Sequence, residues 1–201
     1  MDSKRFAMMI VVILVGLLGL FAATQLVNPV YEYQGSLIEP AVPAYDFALL
    51  VGSGGTFQLS EQHGKVVLIF FGYANCPDFC PTTLAEFKRV REELGSLAEQ
   101  VEFVFITIDP ERDTPALVEQ YVHAFHPDFI GLSGTEAELQ PIWDAFYVYR
   151  ARVDVESAAG YLMEHSTRVV VVDPAGDFRM TFPYGMQPEA MAADITELLN
   201  Q

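Results

Sequence analysis

Val66-Val-Leu-Ile-Phe-Phe71 runs without a break into Gly72-Tyr-Ala-Asn-Cys76-Pro-Asp-Phe-Cys80-Pro-Thr-Thr83. Six consecutive apolar residues are the length of a strand buried on both faces, as at the centre of a parallel sheet. From Pro81 to Gln100 the pattern changes period: Leu84, Phe87, Val90, Leu94 and Leu97 recur every three or four residues, which predicts an amphipathic helix. The chain's only two cysteines therefore fall where a buried strand hands over to a helix.

Outward from this unit, Val101–Ile108 reads as a second buried strand. Thr114-Pro115 opens a helix with a cap followed by proline at the first turn, and Thr135-Glu-Ala-Glu138 is a capping box that opens another. Tyr147–Val155 and Arg168–Val172 read as strands. Asp173-Pro-Ala-Gly176 turns the chain into Phe178–Phe182, and Pro188–Leu199 closes as an amphipathic helix. Before the first buried strand, Asp46–Leu50 and Thr56–Leu59 flank Gly52-Ser-Gly-Gly55 as a hairpin. This order predicts an α/β domain of thioredoxin-like fold over 45–201, a central mixed sheet flanked by helices with an N-terminal β-hairpin extension.

The preceding residues predict where the domain works. Lys4 and Arg5 lead into Phe6–Val27, which carries no charge. At about 1.5 Å per residue this stretch spans roughly 33 Å, enough for one transmembrane helix. Ala22-Ala23 would suit a cleaved signal peptide, but the apolar stretch is longer than such segments need. The positive flank places 1–5 in the cytoplasm and the domain in the periplasm, anchored in the inner membrane. Residues 28–44, with Pro29, Pro40 and Pro43, read as an extended linker.

Eleven Lys and Arg against 27 Asp and Glu give a net charge of −16 over 201 residues. Residues 1–27 hold Asp2, Lys4 and Arg5, so the rest of the chain carries −17. A body this acidic has no footprint for a phosphate backbone and predicts no nucleic-acid partner.

At a helix N-terminus the dipole and free N–H groups favour thiolate, so Cys76 and Cys80 read as activated thiols. Three residues lie between them, where thioredoxins have two. Positions i and i+4 share a helical face with Cβ atoms roughly 5–6 Å apart, whereas a disulfide wants about 3.5–4.5 Å. The spacing thus favours a shared metal ion, while a strained, easily reduced disulfide stays open as an alternative. Of four histidines, His63 sits in a polar loop, and His123 and His126 lie near a helix end. His165 precedes Arg168–Val172, whose start faces the active-site turn in a thioredoxin-like sheet. Where thioredoxins carry a cis-proline, this chain has Ser166-Thr167. Two thiolates and one imidazole suit Cu(I), and no fourth ligand of the kind structural zinc sites require is evident. Met163 is a further soft donor nearby. Asp109, ending the second buried strand, should lie on the same rim, where its carboxylate either orients His165 or a thiol through a hydrogen bond or serves as a turn or helix-approach residue before Pro110.

With Ile108-Asp-Pro-Glu-Arg-Asp-Thr-Pro115 and Tyr161-Leu-Met-Glu-His-Ser166 added to the cysteine segment, the chain resembles the Sco/SenC family of copper-binding thioredoxin-like proteins, from about Pro43 to Leu199. The resemblance implies ligation of copper, as Cu(I) and also Cu(II), by Cys76, Cys80 and His165, with Asp109 close by. It also implies delivery of copper to the binuclear centre of cytochrome c oxidase subunit II or to another copper-accepting protein. Family members commonly have Asp before the histidine, and this chain has Glu164, which keeps the charge and extends its reach. The competing expectation is a periplasmic thiol–disulfide oxidoreductase, with Cys76 and Cys80 as its redox pair, reducing the recipient's cysteines. A peroxidase would need a separate resolving cysteine, which the sequence does not contain.

Overall fold

The computed structural model describes residues 3–25, 31–156 and 160–201. Met1–Glu32 and Tyr33–Gln201 form two separate units. The first holds helix α1 (Ser3–Gln25), whose described side chains, 8–19, are apolar and exposed from Met8 to Leu18. Among the described residues no helix is long and apolar enough to cross a membrane. Residues 1–2 and 26–30, at the ends of the expected anchor and in the expected linker, lie outside the described residues.

In the second unit one eight-stranded sheet runs in the order β1-β10-β9-β4-β5-β6-β2-β3. Its centre is β4 (Val66–Gly72), every residue of which is buried. It pairs parallel to β5 (Val101–Thr107) and antiparallel to β9 (Val169–Val172). Strand β6 (Ile130–Ser133) continues the parallel part beside β5. The hairpin of β2 (Ala48–Val51) and β3 (Thr56–Gln58) extends the sheet beyond β6, as expected from the glycine-rich turn. A separate two-stranded sheet joins β7 (Arg150–Asp154) to β8 (Tyr161–His165).

Alternation along β4 divides the core. Phe70 faces Phe105 of β5, which meets Tyr121 of helix α3 (Pro115–His123) edge-to-face. On the same face of β5, Phe103 meets Phe87 of helix α2 (Phe79–Leu94). Phe71 turns the other way, towards Phe146 at the end of helix α4 (Glu136–Ala145), and Phe146 reaches Phe47 and Phe178. Helix α5 (Pro188–Leu199) packs on α2.

The linker expected over 28–44 is shorter than predicted. Ser36–Pro43 is strand β1, paired antiparallel with β10 (Asp177–Phe182). Its prolines are tolerated because β1 is an edge strand, and the register shifts between Leu37 and Val42, around Pro40. The buried Asp194 carboxylate of α5 accepts the N–H groups of Gln34 and Gly35, 2.7 Å at Gly35, and fastens this segment down. The strand expected over Tyr147–Val155 starts three residues later. Tyr147 adopts φ 56° and ends α4 in the left-handed region, which breaks the extended run.

Candidate metal centre

The turn after β4 is built to expose sulfur to one side only. Tyr73 O accepts the Cys76 N–H, and Cys76 Sγ in turn accepts the Cys80 N–H at 3.4 Å. The sulfur does the work of a helix cap here, since Asp78, at the cap position, makes no side-chain cap bond. Cys80 points back over the end of β4, and only glycine at position 72 leaves room for it. A Cβ on Gly72 would lie 2.7 Å from Cys80 Sγ and 2.8 Å from the Phe105 ring. Cys80 is fully buried and Cys76 is 8% exposed, and both are free thiols.

His165 completes the group from the end of β8, not from a loop before β9 as expected. Its Nδ1–H donates to Ser166 O at 2.7 Å, which leaves the Nε2 lone pair facing Cys80 Sγ at 3.8 Å. Ser166 stands where the proline was missed: its N–H donates to Tyr149 O and its Oγ accepts the Tyr149 N–H. Phe70 and Tyr73 each meet the imidazole ring edge-on, with centroids 6.0 Å away. The donor atoms of Cys76, Cys80 and His165 all lie within 4.8 Å of one another, and this is the one such cluster among the described residues. Metal bonds of about 2.3 Å to sulfur and about 2.0 Å to nitrogen, meeting near 120°, place the donors roughly 3.7 Å apart. The observed 3.8 Å matches that requirement.

The two thiols are electrostatically unequal. The hydrogen bond from Cys80 outweighs burial and lowers Cys76 to about 4. Burial, and then the Cys76 sulfur beside it, push Cys80 well above the usual thiol range. At neutral pH the pair holds one thiolate and one thiol.

Asp109 does not orient His165 or a thiol directly. Its buried carboxylate accepts Arg112 Nε at 2.5 Å and Tyr161 Oη at 2.8 Å. Arg112 also donates to Tyr161 O at 3.0 Å and lies 3.5 Å from the Tyr161 ring centroid. This clamp holds the start of β8, four residues before the histidine. Glu164 is exposed at the rim of the site. Met163 packs beside the core and lines the cleft. The other histidines are elsewhere: His63 lies against Gly176, His126 accepts from Arg91, and His123 is exposed.

The residue that sequence reasoning missed is Asp113. It is 1% exposed, and its Oδ2 accepts Ala74 N–H at 3.0 Å and Thr107 Oγ1–H at 2.7 Å. It thereby ties the turn leading into Cys76 to the end of β5. Its only signal was a second carboxylate four residues after Asp109, which also fits a polar approach to the Thr114 cap. Asp113→Ala leaves the buried Thr107 hydroxyl and the part-buried Ala74 N–H without this partner and should destabilise the domain by about 1–3 kcal/mol. Denaturant unfolding checks this, and a loss below about 0.5 kcal/mol would contradict the tie.

A dithiol at a strand–helix junction facing an imidazole across a thioredoxin-like sheet defines a metal-binding variant of that fold. The SCO1/SenC family matches residues 37–200, and the chain belongs to it. A SCO2-like protein of Rickettsia felis is 37% identical over 145 residues, 72% of this chain and 71% of that protein. Bradyrhizobium japonicum ScoI, solved with copper bound, superposes with a TM-score of 0.71 at 36% identity, covering 78% of this chain and 99% of that one. Yeast Sco1, also solved with copper bound, gives 0.71 at 30% identity, covering 81% and 90%.

Proposed function

We propose that the protein carries copper, held by Cys76, Cys80 and His165, and hands it to a copper-accepting protein during cytochrome c oxidase assembly, with subunit II as the recipient. The observation that carries this reading is the donor cluster itself: two sulfurs and one imidazole nitrogen within 4.8 Å, at the edge of a cleft. Soft thiolates with one imidazole favour Cu(I) and tolerate its low coordination number. Family membership and copper-bound relatives support the same cargo, and what the family does supports the destination.

The reading includes an anchor. Residues 6–27 are uncharged, and α1 presents apolar side chains on all sides from Met8 to Leu18. A helix apolar all round wants lipid or a protein interior. With Lys4 and Arg5 before it, the anchor lies in the inner membrane and the domain faces the periplasm.

The oxidoreductase alternative draws on the lowered Cys76 thiol. It is weaker because Cys80 is fully buried, an imidazole occupies the third corner, and Ser166 replaces the proline that thiol exchange uses. Anaerobic loading of the reduced protein with Cu(I), followed by metal analysis and a thiol count, tests the proposal. One copper per chain with both thiols protected from alkylation is expected. No bound copper, with fast reduction of a recipient disulfide, would overturn it.

A further inference from the structure

The metal-site cleft, about 520 Å³, is lined mainly by apolar groups. Its mouth carries a feature that neither folding nor ligation requires. Phe79, between the two cysteines, is 43% exposed, although both cysteines beside it are buried. Tyr184, from the turn between β10 and α5, is 40% exposed and meets Phe79 edge-to-face with centroids 5.0 Å apart. Two aromatic rings from distant parts of the chain are thus pre-ordered against each other in solvent. Rigid, half-exposed aromatics beside an apolar recess are what anchor protein interfaces. Among the described residues, the charged ones lining the cleft are Asp78 and Glu164, both acidic, and neither Lys nor Arg lines it.

An ion held by a buried Cys80 and a nearly buried Cys76 leaves only if a ligand from the acceptor enters this cleft. Resting on the copper-carrier reading, we propose that Phe79 and Tyr184 are the docking anchor for the copper-accepting protein. That partner inserts an apolar segment into the cleft, flanked by Lys or Arg that meet Asp78 and Glu164. A second copy of this chain fits less well, because it would bring the same two carboxylates and another −16 of charge to the contact.

The test titrates copper-loaded, full-length protein in detergent with the soluble copper domain of cytochrome c oxidase subunit II, following both complex formation and copper transfer. Phe79→Ala and Tyr184→Ala should each weaken the complex about tenfold while one copper per chain is retained. Raising salt from about 0.05 to 0.5 M should slow association by the wild type. Tyr184→Ala keeps the test valid if Phe79→Ala disturbs the cysteine turn, because Tyr184 lies outside that turn. Wild-type affinity in Tyr184→Ala, a salt-insensitive association, or self-association that Tyr184→Ala abolishes would each overturn the proposal. If the wild type transfers copper and the variants transfer it equally well, the anchor fails and the carrier reading stands. If the wild type holds copper but neither binds this domain nor transfers to it, both the anchor and the assigned recipient fail.

Discussion

Cys76→Ser and Cys80→Ser should each lower Cu(I) affinity by well over a hundredfold. Losing even a hydrogen-bonding partner of a metal ligand commonly costs about 10–100-fold, and losing a thiolate removes one of only three donors. The two variants should differ in stability. A serine hydroxyl at position 80 sits in a fully buried site over Gly72, with an expected penalty of about 1–3 kcal/mol. At position 76 the hydroxyl can still accept the Cys80 N–H, which Cys76 Sγ now accepts at 3.4 Å. Cys80→Ala separates the two effects, since it removes the donor without burying a hydroxyl. Competition against a Cu(I) chelator, with thermal unfolding of each variant, gives both quantities. A single cysteine variant that keeps wild-type affinity would refute the three-donor site. His165→Ala should weaken binding less, because both thiolates stay.

The strand–turn–helix unit was readable because a strand buried on both faces needs no alternation and α2 shows its helical period openly. The cysteines followed from that junction, and His165 from the topology that brings the start of β9 to the same rim. What escaped depended on contacts between residues far apart in sequence. Strand β8 is five residues long and is held by pairing with β7 and by the Asp109–Arg112–Tyr161 clamp. Strand β6 is four residues long and contains Gly131, where a Cβ would meet Val118 O at 2.7 Å under helix α3. Without that helix in view, Ile130–Ser133 looks like a loop. Strand β1 was hidden by prolines that an edge position permits. Asp109 was expected to bond to His165 or a thiol, but its partners are Arg112 and Tyr161, which no spacing rule singles out.

Copper affinity should rise with pH, by about tenfold per unit around neutrality. The lowered Cys76 is already a thiolate at pH 7 and gives up no proton to an incoming ion. Cys80, raised by burial and by its neighbour's sulfur, is still a thiol and must lose its proton to become a ligand. Each Cu(I) bound therefore releases about one proton, and a reaction that releases one proton gains tenfold for each unit of rising pH. As pH falls to about 4, Cys76 begins to protonate as well. The dependence then steepens towards two protons, and copper should be lost over a narrow range. Chelator competition from pH 5 to 8, corrected for the chelator's own protonation, measures the slope. A flat profile would mean that both sulfurs are thiolates before copper arrives, and a slope near two at pH 7 would mean that neither is. Only the intermediate slope fits two cysteines whose surroundings, one capping a helix and one sealed beneath it, have driven them apart.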